Sequence, residues 1–187
     1  IAFDKIEIFK RTKKNITKSS IHSIKDIKNL NKELKTIVIT DLKNITKKRK
    51  NIFGIKFDQP KIMGTLNVTP DSFSDGGQFL EESKALEQTN LMINDGAAII
   101  DIGGESTRPG STVVDEKEEW SRVENILTKI KKKFPKISLS LDTRKSYVMK
   151  KGIENGVNII NDVSGLNFDK KSFDVIKLKN IPFVLNH

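Results

Sequence analysis

Residues 63–77 read MGTLNVTPDSFSDGG, a short apolar run that turns abruptly into a loop of carboxylates, hydroxyls and turn-forming residues. Residues 62–68 have the length and β-branched content of a buried strand. Pro70 and the closing glycines at 76 and 77 prevent a helix from beginning before about residue 79. The polar and aromatic side chains in between are Asn67, Thr69, Asp71, Ser72, Phe73, Ser74 and Asp75. Such a stretch is typical of an active-site loop, although a long solvated loop has the same composition.

The succession of strand, loop and helix recurs along the rest of the chain. Strands are predicted at 62–68, 97–102, 137–141, 157–163 and 181–185, and helices at 79–95, 115–133, 145–155 and 170–178. Trp120 recurs on the apolar face of the second helix and is predicted to be core. Strands that are apolar at consecutive positions indicate a parallel sheet with helical crossovers, in a barrel or a doubly wound sheet. No GxGxxG or GxxxxGK motif is present, which weakens dinucleotide and P-loop interpretations.

Polar residues follow each predicted strand. They are Asn67, Asp101 with 105–108, 142–144, Asn161 with Asp162, and Asn186 with His187. Asp142 and Asn161 can each make paired hydrogen bonds and suit a flat heterocycle with an amino-imine edge, although Asp142 could cap a helix and Asn161 could close a turn. Arg108 follows two hydroxyl residues and could hold a phosphate or be a surface arginine. Asn67 offers one oxygen to a hard cation such as Mg²⁺.

Length and composition limit the class of protein. The 187 residues suffice for one domain with a core but fall short of the roughly 250 of a complete eight-unit barrel. The chain begins at Ile1 rather than Met, and we therefore expect a fragment. No apolar run approaches about 18 residues and no signal peptide is visible, so we expect no membrane partner. The absence of cysteine excludes disulfides and thiolate metal sites and fits a reducing cytoplasm, the expected location.

The net charge of +10 lies entirely in the first third of the chain. Residues 1–60 hold 16 Lys and Arg against 6 Asp and Glu, whereas residues 61–187 hold 18 of each kind. A basic region of this kind can bind nucleic acid, but aromatic residues are sparse there and no nucleic-acid motif is present. We therefore interpret it as a solvated basic face and expect no nucleic-acid partner.

Residues 1–50 are predicted to form a basic extension of mixed α/β character, and residues 51–187 the main domain. The expected elements of the extension are an amphipathic helix at 21–34, a strand at 36–40 and a basic helix at 43–50. Residues 52–57 alternate apolar and polar side chains, and the turn at 58–60 predicts a hairpin with the strand that begins at Ile62.

Four segments together carry a resemblance to a known family. They read IMGTLNVTPDSFSDGG at 62–77, IIDIGGESTRPGS at 99–111, LDTRKS at 141–146 and NIINDVSG at 158–165. In this order, and on these predicted strands, they resemble the successive motifs of the dihydropteroate synthases over residues 52–187. The resemblance implies an α/β fold of the (β/α)8 TIM-barrel family, here an incomplete barrel of about five β/α units with the basic extension before it.

The resemblance also implies a chemistry. Dihydropteroate synthases are transferases of folate biosynthesis that condense 6-hydroxymethyl-7,8-dihydropterin diphosphate with 4-aminobenzoate, giving 7,8-dihydropteroate and pyrophosphate. The family uses Mg²⁺, is a sulfonamide target, and implies a homodimer for the intact parent. By position, Asn67 would hold the metal ion. Asp101, Asp142 and Asn161 would bind the pterin ring.

The remaining roles implied by the resemblance fall on loops. The residues expected to contact the diphosphate and the aminobenzoate are Thr107, Arg108, Phe73 and Pro109. Asp71 and Asp75 would organise the first loop over the reacting methylene, and with Arg108 they are the expected catalytic residues.

The chain departs from the family pattern at a few positions. Arg144 and Ser146 stand where the family often has a small residue and a proline, and Asn186 stands where a methionine is usual. Because five strand units are present and the fold needs eight, we expect the isolated chain to be inactive or nearly so. The alternatives are the pterin-binding domain of a corrinoid methyltransferase, which would not need TPDSFSDGG or ESTRPG, and a non-catalytic pterin-binding protein.

Overall fold

The computed structural model describes residues 3–48, 51–52, 54–69, 77–107 and 110–186. The chain divides into two compact units, Ile1–Arg49 and Lys50–His187. Within the described residues, no helix combines the length and the apolar character needed to cross a membrane.

The first unit is a β-hairpin followed by helix. Its elements are β1 (Lys5–Arg11), β2 (Thr17–Ser23), a 3-10 helix (Ile24–Asn29) and α1 (Lys32–Thr46), and β1 pairs antiparallel with β2. The predicted helix at 21–34 is wrong, because its first residues pair in the hairpin and its middle forms the 3-10 helix.

The predicted strand at 36–40 is also wrong, because these residues lie inside α1. Asn31 caps that helix by accepting a hydrogen bond from the Leu34 N–H at 3.0 Å. The hydroxyls of Thr36 and Thr40 donate to carbonyls one turn earlier, at 2.9 and 2.8 Å, so their polar atoms are satisfied within the helix. The β-propensity of residues 36–40 is thus overridden by these contacts. The basic helix predicted at 43–50 corresponds to the end of α1, which terminates at Thr46.

The second unit is built around a five-stranded parallel sheet in the order β3-β4-β5-β6-β7. The strands are β3 (Ile62–Asn67), β4 (Ala97–Gly103), β5 (Ser138–Asp142), β6 (Ile159–Asp162) and β7 (Phe183–Leu185). The helices between them are α2 (Gly77–Asn94), α3 (Glu116–Lys133), α4 (Ser146–Glu154) and α5 (Ser172–Lys179). The nine strands and helices predicted from residue 62 onward are confirmed. Because the strands follow in sequence order without a reversal, the unit is an incomplete α/β barrel of five units rather than a doubly wound sheet.

The hairpin predicted to introduce this unit is wrong. Ile52 and Ile55 exchange two backbone hydrogen bonds across Gly54, whose φ of 79° only glycine adopts easily. Residues of the alternating segment therefore pair with each other in a tight turn. Ile62 instead pairs in parallel with Ala97 of β4.

The core lies between the sheet and its helices. Ile100, Leu141 and Ile160 of the central strands are fully buried. Trp120 on α3 is 6% exposed, which confirms its prediction as core. A Cβ added at Gly152 of α4 would clash with Leu141 Cδ2, so that helix packs directly on β5. Each large apolar side chain buried here contributes about 1.5–3 kcal/mol, and this packing fixes the strand ends that carry the site.

Candidate active site

The carboxyl ends of the parallel strands bring four predicted residues together. Asn67 on β3 pairs in register with Gly103 on β4, and Gly103 pairs with Asp142 on β5. Asp142 in turn pairs with Asn161 on β6. Asp101 precedes Gly103 by two residues, so its side chain shares the same face of the sheet. The structure therefore places Asn67, Asp101, Asp142 and Asn161 on neighbouring strands of one rim.

Asp101 is buried and only half satisfied. Its side chain is 3% exposed, and its Oδ2 accepts a hydrogen bond from Asn161 Nδ2 at 2.9 Å. Asn161 Oδ1 accepts in turn from Asn186 Nδ2 at 3.2 Å, and these two bonds fix the orientation of the Asn161 amide. Asp101 Oδ1 has no hydrogen-bond partner among the described residues. A buried acceptor of this kind is ready for a donor from a ligand.

Asp142 lies beside this pair with a free carboxylate oxygen. Its Oδ1 is buried and has no hydrogen-bond partner within the described part of the chain. Burial, and after it the negative charges of Asp101, Glu119, Asp162 and Glu105, together raise the pKa of Asp142 to about 7. Near neutral pH the carboxyl group is therefore divided between its protonated and ionised forms, and it can donate or accept a hydrogen bond.

Ser140 is a further buried polar residue beside this cluster, which the sequence reasoning missed. It precedes Asp142 by two residues on β5 and pairs in register with Asp101. Its hydroxyl is fully buried without a hydrogen-bond partner in the described ranges. The available signal was the period of two along SLSLD, in which Leu139 and Leu141 alternate with the polar residues.

Gly103 lies close to side-chain oxygens of Asp142 and Asn67. A Cβ built on it would lie 3.5 Å from Asp142 Oδ2 and 3.6 Å from Asn67 Oδ1. Among the described residues, no group of three or more His, Cys, Asp or Glu side chains is arranged to hold a metal ion. A hard cation at Asn67 fits only if most of its oxygen ligands come from a substrate and from water, as is usual for Mg²⁺.

Of the six further predicted site residues, the structure describes one. Thr107 is exposed on the loop between β4 and α3. The predictions for Asp71, Phe73, Asp75, Arg108 and Pro109 lie outside the described residues. Asp162, which follows Asn161, makes hydrogen bonds to nearby backbone groups. Its two carboxylate oxygens accept hydrogen bonds from the backbone N–H groups of Ser164 and Leu166 at 2.7 and 3.0 Å.

A second polar cluster, the ion-pair network, lies at the same ends of the strands. It consists of Glu105, Glu119, Arg144 and Lys145, and the sequence did not indicate that they meet. The Lys145 ammonium lies 3.0 Å from Glu105 Oε2 and also binds Glu119. Burial raises the pKa of Glu105, but hydrogen bonds from Arg144, the Val114 N–H and Lys145 outweigh it and hold that pKa below its usual value.

Residues 63–187 match the family described as pterin binding enzyme. This chain belongs to the pterin-binding enzyme family. The dihydropteroate synthase of Bacillus subtilis (strain 168) is 49% identical over 126 residues, which are 67% of this chain and 44% of that protein. The dihydropteroate synthase of Clostridium beijerinckii is 50% identical over 126 residues, 67% of this chain and 46% of that protein. This pterin-binding enzyme chain spans about half the length of the curated relatives it matches.

Solved structures similar to this pterin-binding enzyme chain have bound ligands. Dihydropteroate synthase from Clostridium difficile in the presence of pteroic acid superimposes with a TM-score of 0.66 at 44% identity, over 68% of this chain and 48% of that one. The Xanthomonas albilineans enzyme with 4-aminobenzoic acid superimposes with a TM-score of 0.66 at 39% sequence identity, over 71% of this chain and 49% of that one. The Anaplasma phagocytophilum enzyme with bound 6-hydroxymethylpterin-monophosphate superimposes with a TM-score of 0.62 at 38% sequence identity, over 68% of this chain and 48% of that one. Both kinds of comparison confirm the resemblance to dihydropteroate synthases.

Proposed function

We propose that this chain is part of a dihydropteroate synthase, which condenses 6-hydroxymethyl-7,8-dihydropterin diphosphate with 4-aminobenzoate to give 7,8-dihydropteroate and pyrophosphate. The observation that carries the proposal is the cluster of Asp101, Asp142 and Asn161 at the strand ends, in which Asp101 Oδ1 and Asp142 Oδ1 are buried without a hydrogen-bond partner among the described residues. The similarity to dihydropteroate synthases, including enzymes with 4-aminobenzoic acid or 6-hydroxymethylpterin-monophosphate bound, supports it.

A pterin ring matches the hydrogen-bonding capacity of this pocket. The ring presents N–H donors and ring-nitrogen acceptors along a flat edge. Among the described residues, Asp101 and Asp142 each have a carboxylate oxygen without a hydrogen-bond partner, and these oxygens would accept from the ring donors. Asn161 Nδ2 donates one hydrogen to Asp101, and its second hydrogen would be donated to a ring acceptor. Because Asn186 and Asp101 fix the Asn161 amide in advance, the ring would bind to a pre-oriented partner.

The proposed reaction is an alkyl transfer at the exocyclic methylene group. The bond between that carbon and the diphosphate oxygen breaks, and its electron pair leaves with pyrophosphate. Positive charge then spreads from the methylene into the pterin ring, where buried carboxylates stabilise it. The lone pair of the 4-aminobenzoate nitrogen forms the new C–N bond, and that nitrogen then loses a proton. An arylamine is neutral near pH 7, so the protein mainly has to position the two substrates and exclude water.

Mg²⁺ is part of the proposal. Asn67 Oδ1 would be its protein ligand, with diphosphate oxygens and water completing the coordination. When bound, the ion would supply positive charge to the leaving pyrophosphate.

The loop residues take the roles that the resemblance implies. The proposed contacts to the diphosphate and the aminobenzoate are Thr107, Arg108, Phe73 and Pro109. Asp71 and Asp75 are proposed to organise the first loop over the methylene. The proposal also includes a cytoplasmic location, binding of sulfonamides in the aminobenzoate pocket, and a homodimer for the intact protein.

Ligand binding by the 187-residue chain tests the proposal. Calorimetric titrations would compare 6-hydroxymethyl-7,8-dihydropterin with its diphosphate in the presence of Mg²⁺. We expect both to bind, and we expect the diphosphate to bind more tightly. Asp142→Asn should weaken both, whereas Asp174→Asn, which changes an exposed carboxylate on α5, should change neither. Absence of binding to either ligand would refute the proposal. A pterin that binds no more tightly with its diphosphate would favour the methyltransferase alternative.

A further inference from the structure

The ion-pair network is centred on Glu105, which closes its own loop. This residue begins the loop between β4 and α3, and its Oε1 accepts a hydrogen bond from the Val114 N–H at 2.9 Å, nine residues further along. Gly104 just before it packs so closely on α3 that an added Cβ would lie 2.8 Å from the Glu119 carbonyl oxygen. Both ends of the loop are therefore fixed, and Thr107 lies between them.

Arg144 connects this loop to two others. Its Nε donates to Glu105 Oε2 at 3.1 Å and its Nη2 donates to Glu105 Oε1 at 3.3 Å, a two-point contact that restricts the rotation of both side chains. The guanidinium lies 3.9 Å from the centre of the Phe168 ring, which belongs to the loop between β6 and α5. The Arg144 carbonyl also accepts from the Ser172 hydroxyl at 3.5 Å. One side chain thus joins the loops that follow β4, β5 and β6.

Lys145 is the second cation of the ion-pair network, after Arg144. Its ammonium is buried between the carboxylates of Glu105 and Glu119, so two cations face two anions. None of these four side chains bonds to Asp101, Asp142 or Asn161 in the described part of the chain. The network is therefore a separate cluster, with no hydrogen bond or ion pair to the first one among the described residues.

We propose that Glu105 and Arg144 are positioning residues that hold the loop carrying Thr107 ready for the phosphate end of the pterin substrate. This inference rests on the proposed function, because Thr107 is a proposed contact to the diphosphate. A loop that is ordered in advance loses less conformational entropy when the ligand binds, so its contribution to affinity is larger. A network that only stabilised the fold would affect phosphorylated and unphosphorylated pterins equally.

The test compares two ligands with the full 187-residue chain. Calorimetry would measure the affinities of 6-hydroxymethyl-7,8-dihydropterin and of its diphosphate for the wild type, Arg144→Gln and Glu105→Gln. We expect the diphosphate to bind each variant about tenfold more weakly, and the unphosphorylated pterin to bind within about twofold of the wild type. Arg144→Lys keeps the charge without the two-point geometry and should lie in between.

The matched control is Lys129→Gln, which breaks an ion pair with Glu82 between α3 and α2, away from the loop. It should leave both affinities unchanged. An equal loss for both ligands in Arg144→Gln, or no loss for either, would overturn the inference. Absence of binding by the wild type would instead refute the proposed function.

Hydrogen exchange gives a readout of the loop that does not require a ligand. In Arg144→Gln we expect the amides of Glu105 and Val114 to exchange faster than in the wild type, while those of Ile100 and Ile102 on β4 stay protected. Unchanged exchange at Glu105 and Val114 would show that Arg144 does not hold the loop. A general increase that includes β4 would show a loss of global stability and would also overturn the inference.

Discussion

Glu105 is a buried carboxylate and Asp142 a half-buried one with a buried Oδ1, and although both lie at the same ends of the strands, their surroundings are opposite. Both Glu105 oxygens accept hydrogen bonds or ion pairs, whereas Asp142 Oδ1 has no partner in the described structure. The pKa of Glu105 accordingly lies below its usual value, and that of Asp142 rises to about 7. The comparison teaches that burial alone does not identify a ligand site. The informative feature is a buried acceptor that the protein leaves without a donor.

The largest expected effect comes from breaking the satisfied cluster. Lys145→Met would leave the carboxylates of Glu105 and Glu119 buried without their shared cation. We expect the free energy of unfolding to fall by about 3–5 kcal/mol, as is usual when one partner of a buried ion pair is removed. Urea denaturation followed by the fluorescence of Trp120 measures this in the second unit, because Trp120 is the only tryptophan.

The control for this experiment is Lys129→Met. Lys129 is partly exposed in its pair with Glu82, so its loss should cost only about 0.2–1 kcal/mol. If Lys145→Met cost no more than this control, the ion-pair network would not be the stabilising element that its burial indicates.

The sequence predicted the second unit better than the first for a physical reason. Strands such as Ala97–Gly103 are apolar at consecutive positions because helices cover them, and that signal is local. Residues 36–40 carry a β-branched run that favours a strand, but the Asn31 cap and the hydroxyl bonds of Thr36 and Thr40 place them in α1. In a unit with few buried side chains, such short-range contacts decide between helix and strand.

The candidate site also has one part that the sequence could predict and one part that it could not. Asp101, Asp142 and Asn161 could be predicted because parallel strands bring their carboxyl ends to one edge whatever the details of packing. The ion-pair network could not, because Arg144 and Glu105 are 39 residues apart, and Lys145 and Glu119 are 26 apart. No local period relates these residues. Only the packed arrangement of α3 and two loops brings them together.

The second effect sharpens the other side of the comparison. Asp142→Asn removes a carboxylate that has no cationic partner among the described residues, and the change should weaken pterin binding by about 1.5–3 kcal/mol, the usual value of a hydrogen bond to a charged group. The free energy of unfolding at pH 8 should not fall, because the variant no longer buries an ionised carboxylate. Calorimetry and denaturation of the same sample measure the two quantities. A loss of stability together with affinity would mean that Asp142 is structural.

The third effect is a pH dependence of opposite sign for the two carboxyls. Asp142 has a folded pKa of about 7 against an ordinary 3.8, so between these values the folded state binds more protons than the unfolded state. Its contribution to stability therefore falls as the pH rises through this range, by at most about 1.4 kcal/mol per pH unit. Glu105 has a lowered pKa, so its contribution is present above its usual 4.5 and is lost as the pH falls further.

Denaturation curves between pH 3 and pH 8 check both signs. Asp142→Asn should gain stability relative to the wild type as the pH approaches 8 and should match it below about pH 4. The difference in stability between Glu105→Gln and the wild type should disappear only at the acidic end of this pH range. Parallel curves for the wild type and Asp142→Asn would contradict a raised pKa at this residue.

The smallest expected effect concerns the outer side of the network, where Arg144 lies over the partly exposed ring of Phe168. Phe168→Leu keeps most of the apolar surface but removes the π-face, and it should cost about 0.5–1 kcal/mol of unfolding free energy. A double-mutant cycle with Arg144→Gln isolates this contact, because the two losses should be less than additive if the ring and the guanidinium interact. Phe173→Leu, at an exposed ring on α5, is the matched control. Strict additivity in the first cycle would show that Phe168 contributes area alone, and that Glu105, rather than the ring, sets the position of Arg144.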